Sequence, residues 1–323
     1  MKGLLSRKIN KPVMLAEKKD GIYPYILLAP SILILLAVIV FPIFMSLYMS
    51  LNEVRVIAGG IKYTFKGLEN YLYFFKNPLF WESLRVTTYF TVVSLVIELI
   101  LGFFMASILN REFWGRNIVR SLILIPWAVP TVVNARIWQW IYNANDFGAL
   151  NRILKGLNII KENVVWLREV TPFAGSLMAK FFEWCGASRA LHMIIIGDTW
   201  KVTPLVALLL LAGMQTIPDS FYEAADVDGA NWWQKFKYIT LPRLKPVLLV
   251  ILVLRTMELF RVFDILYIIM SYQVKVLSIL TYENGFVFLK FGRAAALSFI
   301  IGTIIMALAF VYMKFLYVEE GDE

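Results

Sequence analysis

The chain of 323 residues is 59% hydrophobic and 15% aromatic, well above the roughly half-apolar composition of soluble domains, which excludes an ordinary water-soluble fold. Its formal net charge of +9 fits basic loops facing an anionic membrane leaflet better than it fits nucleic acid. One cysteine (Cys185) and one histidine (His192) exclude an intrachain disulfide, a cysteine-rich zinc centre and a paired-histidine metal site; no GxxxxGK[ST] sequence occurs, so nothing points to nucleotide or another cofactor in the chain itself.

Six spans are expected. Lys2, Arg7, Lys8, Lys11, Lys18 and Lys19 precede a run from Ile22 to Leu51 that carries no charge. That run is too long for a signal-peptide core and reads as an uncleaved first span with its basic flank inside; Pro30 and Pro42 are places where it can kink. Residues 52–83 read as a polar, aromatic-rich outer loop. The second span, 84–109, contains Glu98 and a Gly102/Ala106 pair at close-packing spacing. The turn Asn110–Asn117, with Arg111 and Arg116, faces inside, and the third span, 118–141, contains Pro126 and Pro130. Residues 142–191 form a long outer segment. Within it the stretch after Thr171-Pro172 reads as an interfacial helix, because Lys180 and Glu183 oppose a full crossing. His192 reads as a helix-end or interface residue. The fourth, fifth and sixth spans cover 192–214, 246–270 and 294–317; in the sixth, Ala294, Ser298 and Gly302 form a small-residue packing face.

The chain thus divides into a cytoplasmic N-terminus, first span and outer loop (1–83), a five-span core (84–317) and an acidic cytoplasmic tail (318–323). Parity from an inside N-terminus puts both termini, and the loop between spans four and five, on the cytoplasmic side. Arg55, Lys62, Lys66 and Lys76, on the outer side, run against the positive-inside bias.

That loop, Pro218–Pro246, is the most polar long stretch between two apolar ones. Ser220 followed by Glu223 reads as a capping box opening a short helix near Phe221, with Asp219 at the positive end of its dipole. Gly229 is placed to end the helix in the left-handed conformation. Asn231 is placed to cap a second helix carrying Trp232, Trp233 and Phe236. The expected unit is a helix, a glycine turn and a helix, presented outside the membrane as a compact knob.

Glu223-Ala224-Ala225, three residues, Gly229, nine residues, Ile239, one residue, Leu241-Pro242 reproduces an E-A-A-x3-G-x9-I-x-L-P pattern. With it, the chain resembles the permease subunits of binding-protein-dependent ABC importers. Weaker features in the same order resemble their sugar-importing branch, of maltose/glycerol-phosphate type: Arg120–Asn143, then Gly148 and Leu150-Asn151, Trp200-Lys201 with Thr203-Pro204, Asp228-Gly229-Ala230 and Phe263-Asp264. Two departures lie on the outer side, a long segment around Ala179–Leu191 and Ser271–Val276 where a Gly-Gly-Pro is common. The resemblance implies an all-α permease of six transmembrane helices in the inner cell membrane, with a cytoplasmic helix-turn-helix coupling loop. Its partners would be two ATPase subunits that hold the ATP, a second and different permease chain, an extracytoplasmic substrate-binding protein and membrane lipid. No catalytic residue, metal or cofactor is implied for this chain.

Span five carries Arg255, Glu258, Arg261 and Asp264, each three residues from the next. On a continuous helix neighbours in this series touch. One reading is a self-neutralising ladder; another is that part of the stripe lines the solute path or a subunit interface, since intramembrane ions face cavities or partners. Glu98 and Asp198 read as isolated. On the residues alone an autonomous secondary transporter or channel, using this stripe as an ion relay, stays open.

Overall fold

The computed structural model describes residues 23–168 and 177–316. The basic N-terminal flank, the Thr171-Pro172 helix start and the acidic tail lie outside the described residues. The chain divides into two units, Met1–Tyr48 and Met49–Glu323.

The first span begins as α1 (Tyr23–Leu35), widens through a π-helical turn at Leu36–Val40 and continues as α2 (Phe41–Ser50). Pro30 lies inside α1 without ending it. The π turn closes with the Phe41 N–H on the Leu36 carbonyl, one residue before Pro42. Proline has no N–H and its ring crowds the carbonyl four residues back, so the ladder takes the wider register there.

In the second unit, residues 52–83 are not a loop, and the all-helical expectation is corrected. Strands β1 (Asn52–Ile57) and β2 (Gly60–Phe65) form an antiparallel hairpin in the register Asn52↔Phe65 to Ile57↔Gly60. β-branched and aromatic residues (Val54, Val56, Ile61, Tyr63) favour strands, and Ala58-Gly59 makes the tight turn. Helix α3 (Glu69–Lys76) follows, and its buried Asn70 donates to the carbonyls of Ser50 (2.9 Å) and Asn52 (3.0 Å).

Helix α4 (Pro78–Asn110) is opened by the Asn77 side chain, which accepts from the Leu79 N–H, with Pro78 at its first position. Its buried face includes Phe90, Ser94, Glu98, Gly102 and Ala106 at four-residue intervals, so the polar residues turn inward and Val92, Val96, Ile100 and Phe104 turn outward. This is the inverse of a soluble amphipathic helix and fits a lipid surround.

The expected straight third span is corrected. Helices α5 (Arg116–Ile123), α6 (Ile125–Ala128) and α7 (Thr131–Ile141) follow one another, and the chain bends by 88° between Ala128 and Thr131. Val129 is extended (ψ 128°), as the residue before Pro130 must be to clear its ring. Helix α8 (Ala149–Gly156) and α9 (Leu177–Cys185) lie in the segment read as outer, and α10 (Arg189–Met214) starts at the Ser188 cap. His192 occupies the first turn of α10, its Nε2 2.7 Å from the Tyr89 hydroxyl and its Nδ1 2.7 Å from the Ser188 carbonyl. Cys185 is free and buried.

The short helices α11 (Asp219–Val227), α12 (Trp232–Lys235) and α13 (Leu241–Arg243) make the polar stretch, with a π turn at Phe236–Thr240. The expected continuous fifth span is broken into α14 (Lys245–Leu259) and α15 (Asp264–Met270). Helix α16 (Leu277–Tyr282), a π turn (Glu283–Val287) and the left-handed Leu289 (φ 54°) lead into α17 (Phe291–Leu316). The stretch before the last span is therefore structured, largely buried through Gly285 and exposed from Phe286 to Lys290. Helix α17 buries Ala295, Ala296, Leu297, Ile300 and Ile301, while Ser298 and Gly302 lie on the exposed side and Ala294, half-buried, packs toward Gly285; the expected small-residue face is thus only partly used within the described residues.

Among the described residues four helical stretches are long and apolar enough to cross a membrane: Tyr25–Ser50, Pro78–Asn110, Arg189–Met214 and Phe291–Leu316. The bent pair Arg116–Ala128 and Thr131–Ile141 makes a fifth if counted as one span.

Helices α4 and α10 pack side by side, and Gly102 sets their distance. A Cβ there would sit 2.9 Å from Val206 Cγ1 and 3.4 Å from both the Ala207 nitrogen and Leu210 Cδ1, so that even an alanine would have to displace the Val206 side chain. Gly102→Leu therefore has to force the pair apart, at a cost of about 1–3 kcal/mol, whereas Gly302→Leu enters open space. The expected outcome in detergent is a lowered thermal midpoint for Gly102→Leu and an unchanged one for Gly302→Leu; equal midpoints would remove Gly102 from this role.

Candidate functional site

The polar stretch folds into the expected helix, turn and helix, with one correction. Helix α11 begins at Asp219 directly after Pro218, and no side chain caps it. Ser220 therefore sits inside the first turn, and the Ser220/Glu223 capping box does not form. Pro218 holds an extended backbone (φ −61°, ψ 139°) and is itself the boundary residue. At the other end the turn is complete. Gly229 has φ 74°, its N–H reaches the Asp226 carbonyl at 3.1 Å, and the Ala230 N–H reaches the Ala225 carbonyl at 2.9 Å. These are the two bonds of a Schellman motif, which needs a left-handed residue where a side chain is strained. Asn231 then caps α12 through a reciprocal pair with Gln234, at 2.9 and 2.7 Å, a partner the sequence reading did not name.

Tertiary contacts brace this unit. The Lys235 ammonium pairs with Asp226, the Arg243 guanidinium lies 3.7 Å over the Phe221 ring, and the Tyr222 hydroxyl is 3.0 Å from that of Thr240. Trp232 and Trp233 stack on Phe236, which in turn meets Phe103 of α4 edge-on. The π turn at Phe236–Thr240 closes with the Leu241 N–H on the Phe236 carbonyl, again one residue before a proline, Pro242. Of the motif residues, Glu223, Ala224, Gly229, Leu241 and Pro242 are exposed, and Ala225 and Ile239 are half-buried. The surface carries an acidic and a small-residue helix face ending in a rigid turn.

The four charges of span five do not form one ladder, because α14 stops at Leu259. Arg261 is exposed and its Nε donates to the Met257 carbonyl (3.2 Å); Asp264 is exposed at the start of α15. Arg255 and Glu258 do pair, but Arg255 also turns inward. Its Nε and Nη2 donate to the two oxygens of Glu98 at 2.8 and 2.7 Å, and Nη2 lies 3.4 Å from Asp198 Oδ2. Glu98 is fully buried, Asp198 is 9% exposed, and Glu258 alone leaves its side chain half open (54%). The expected isolation of Glu98 and Asp198 is thereby overturned. The signal that pointed to them was available: two carboxylates and one arginine in apolar spans each need a partner. What was missing was the pairing across helices. Nearby, Lys201 Nζ donates to Thr131 Oγ1 at 3.2 Å. Among the described residues no group of acidic, histidine or cysteine side chains is arranged to hold a metal ion.

Known proteins share this sequence and fold. Residues 98–318 match the family described as the binding-protein-dependent transport system inner membrane component. The chain is 37% identical over 317 residues to the trehalose/maltose transport system permease protein MalF of Thermococcus litoralis, covering 96% of this chain and 98% of that one. It is 32% identical over 305 residues to the sulfoquinovosyl glycerol transport system permease protein SmoG of Agrobacterium fabrum, covering 93% and 92%. A chain in the crystal structure of a bacterial ABC transporter involved in the import of the acidic polysaccharide alginate has the same fold, with a TM-score of 0.72 over 91% of this chain and 94% of that one at 21% identity. By the extent of these matches and its apolar spans, the chain belongs to the inner membrane components of binding-protein-dependent transport systems, as a multi-pass permease and not an enzyme.

Proposed function

We propose that this permease serves an ATP-driven importer of a sugar or oligosaccharide, and that it forms the solute path together with a second, different permease chain. Two ATPase subunits bind the ATP on the cytoplasmic side, and an extracytoplasmic binding protein delivers the sugar. The names of the relatives support the sugar class. The observation that carries the coupling is the braced, exposed turn at Glu223–Gly229. Glu223 accepts hydrogen bonds from the ATPase, Ala224 and Ala225 keep the helix slim enough to enter a cleft, and Gly229 makes the turn.

Because Asp226–Lys235 and Phe221–Arg243 tie the knob together, it moves as one body. Its exit, α13, leads directly into α14, which carries Arg255. ATP-driven closure of the ATPases thus pulls on the helix that anchors Glu98 and Asp198, and reorients the path. No bond is made or broken in this chain. At the half-open end of the cluster, Glu258 offers the solute carboxylate acceptors beyond those used by Arg255. The stripe of span five does not serve as a continuous ion relay, since Arg261 and Asp264 lie beyond the helix break.

In the proposed topology both termini and residues 218–246 are cytoplasmic, residues 142–191 are outside, and the core of residues 84–317 makes five of six crossings. The third and fifth of these are the broken spans.

Three measurements test these proposals. Gly229→Val puts a β-branched residue at positive φ while leaving every span intact; the expected outcome is normal insertion with lost ATPase binding or ATP hydrolysis uncoupled from uptake. Normal uptake would sink the coupling role. Single cysteines at Lys235 and Asn158 are expected to react with an impermeant reagent from the cytoplasmic and outer sides respectively, and the reverse pattern would overturn the topology. Glu258→Gln keeps an acceptor and is expected to lose a few-fold in apparent sugar affinity, whereas Glu258→Ala loses more, on the order of 1–3 kcal/mol; equal uptake by all three forms would take Glu258 out of the path.

A further inference from the structure

Three of the four basic residues that run against the topology bias share a location. Arg55 on β1, Lys66 after β2 and Lys76 at the end of α3 line one open cleft of about 540 Å³ together with Lys290 and Arg293 at the start of α17. These five cations face two carboxylates, Glu53 and Glu69, in the same cleft. Both carboxylates are already engaged: Glu53 takes the Arg55 guanidinium at 2.7 Å and Glu69 the Lys66 ammonium at 3.4 Å. The Arg55 hydrogen bond, with the further charges of Arg55, Lys66 and Lys290 and against some burial, holds the Glu53 carboxyl below its ordinary range. Among the described residues Lys76, Lys290 and Arg293 have no carboxylate partner; Arg293 lies 3.8 Å over the Tyr73 ring instead.

The cleft is held in shape by its walls. Gly292 brings α17 against the hairpin so closely that a Cβ there would sit 2.1 Å from the Asn52 carbonyl oxygen. Asn70 bonds the same strand from α3, and Leu289, in the left-handed region that leucine avoids, sets Lys290 at the rim. The hairpin also places Arg55 directly opposite Lys62, a like-charge pair that opposes strand pairing. Lys62 lies outside the cleft lining, and the excess of cations inside it, five against two engaged carboxylates, points to a use outside the fold.

We infer that this cleft is the docking point for an acidic side chain projecting from the extracytoplasmic binding protein. The inference deepens the proposed function and rests on its topology, which places the hairpin, α3 and the start of α17 on the outer side. A protein carboxylate fits better than a free multivalent anion. The two resident carboxylates repel concentrated negative charge, whereas a single carboxylate on a mixed surface can meet Lys76 and Lys290 while its neighbours pair with the rest. Leu72 and Tyr73 supply apolar area beside the charges, the mixture found at protein interfaces. Complementary charge of this kind steers encounter and selects partners.

The test uses the assembled importer in lipid nanodiscs and the sugar-loaded binding protein that stimulates its ATP hydrolysis. Lys76→Glu with Lys290→Glu is expected to weaken binding-protein affinity by at least about tenfold and to flatten its dependence on salt, which screens such contacts. Lys76→Arg with Lys290→Arg keeps the charge and is expected to keep the affinity, which separates charge from misfolding. Unchanged affinity and salt dependence in the reversed variant would overturn the assignment, as would a loss of co-purified anionic lipid with binding-protein affinity intact. If no soluble binding protein stimulates the wild-type importer, the importer reading itself fails and the docking point falls with it.

Discussion

One buried guanidinium joins the three helices at the centre of this protein. Arg255 on α14 gives two bonds to Glu98 of α4 and one to Asp198 of α10, and pairs with Glu258 one turn along its own helix. A charge in an apolar span is expensive on its own, about 2.5–3.5 kcal/mol at a helix centre on insertion scales. Here each charge is offset by the others, and the planar fork of arginine meets both oxygens of Glu98 at once. A lysine ammonium offers one point charge and cannot reproduce that arrangement. Removing the arginine leaves two buried carboxylates side by side, a loss of about 3–5 kcal/mol for a broken buried pair. The inward turn of Glu98 on α4 and of Asp198 on α10 meets this requirement.

Around that node the fold alternates rigid contacts with deliberate breaks. Gly102 lets α4 and α10 touch at backbone distance, which makes them a single block. The spans on either side are interrupted: the α6–α7 bend follows from Pro130, and α14 gives way to α15 across residues 260–263. Proline also sets the two π turns that end at Phe41 and Leu241, each at the residue before a proline. The second of these lies where the knob joins the core. A braced knob, a short connecting turn and a helix that ends in a buried ion cluster form a continuous route from the surface to the interior. The proposed coupling uses that route, and it requires only rigid-body motion.

The local devices were legible in the sequence because they depend on neighbours a few residues apart. Gly229 ends its helix and Asn231 opens the next as expected, since turn geometry and caps are set by backbone conformation and short side chains. The apolar runs marked the four long spans for the same reason, and seven residues at fixed spacing sufficed for the family resemblance. Ser220 failed as a cap because Pro218, two residues earlier, already held the boundary conformation.

Relations between distant residues were settled by packing instead. Arg255, Glu98 and Asp198 are separated by 157 and 57 positions, and no periodicity links them; their pairing appears only when α4, α10 and α14 lie together. The basic residues of the hairpin and of α17 likewise become one cleft through the close approach at Gly292. Local sterics and the transfer of side chains from water to lipid, both set by residues close in the chain, made the Gly229 turn, the Asn231 cap and the long apolar runs legible, whereas the bend in the third span, the break in the fifth and the hairpin were not. Which charges meet was left to the packing of the helices, because Coulomb attraction acts through space and is indifferent to order along the chain.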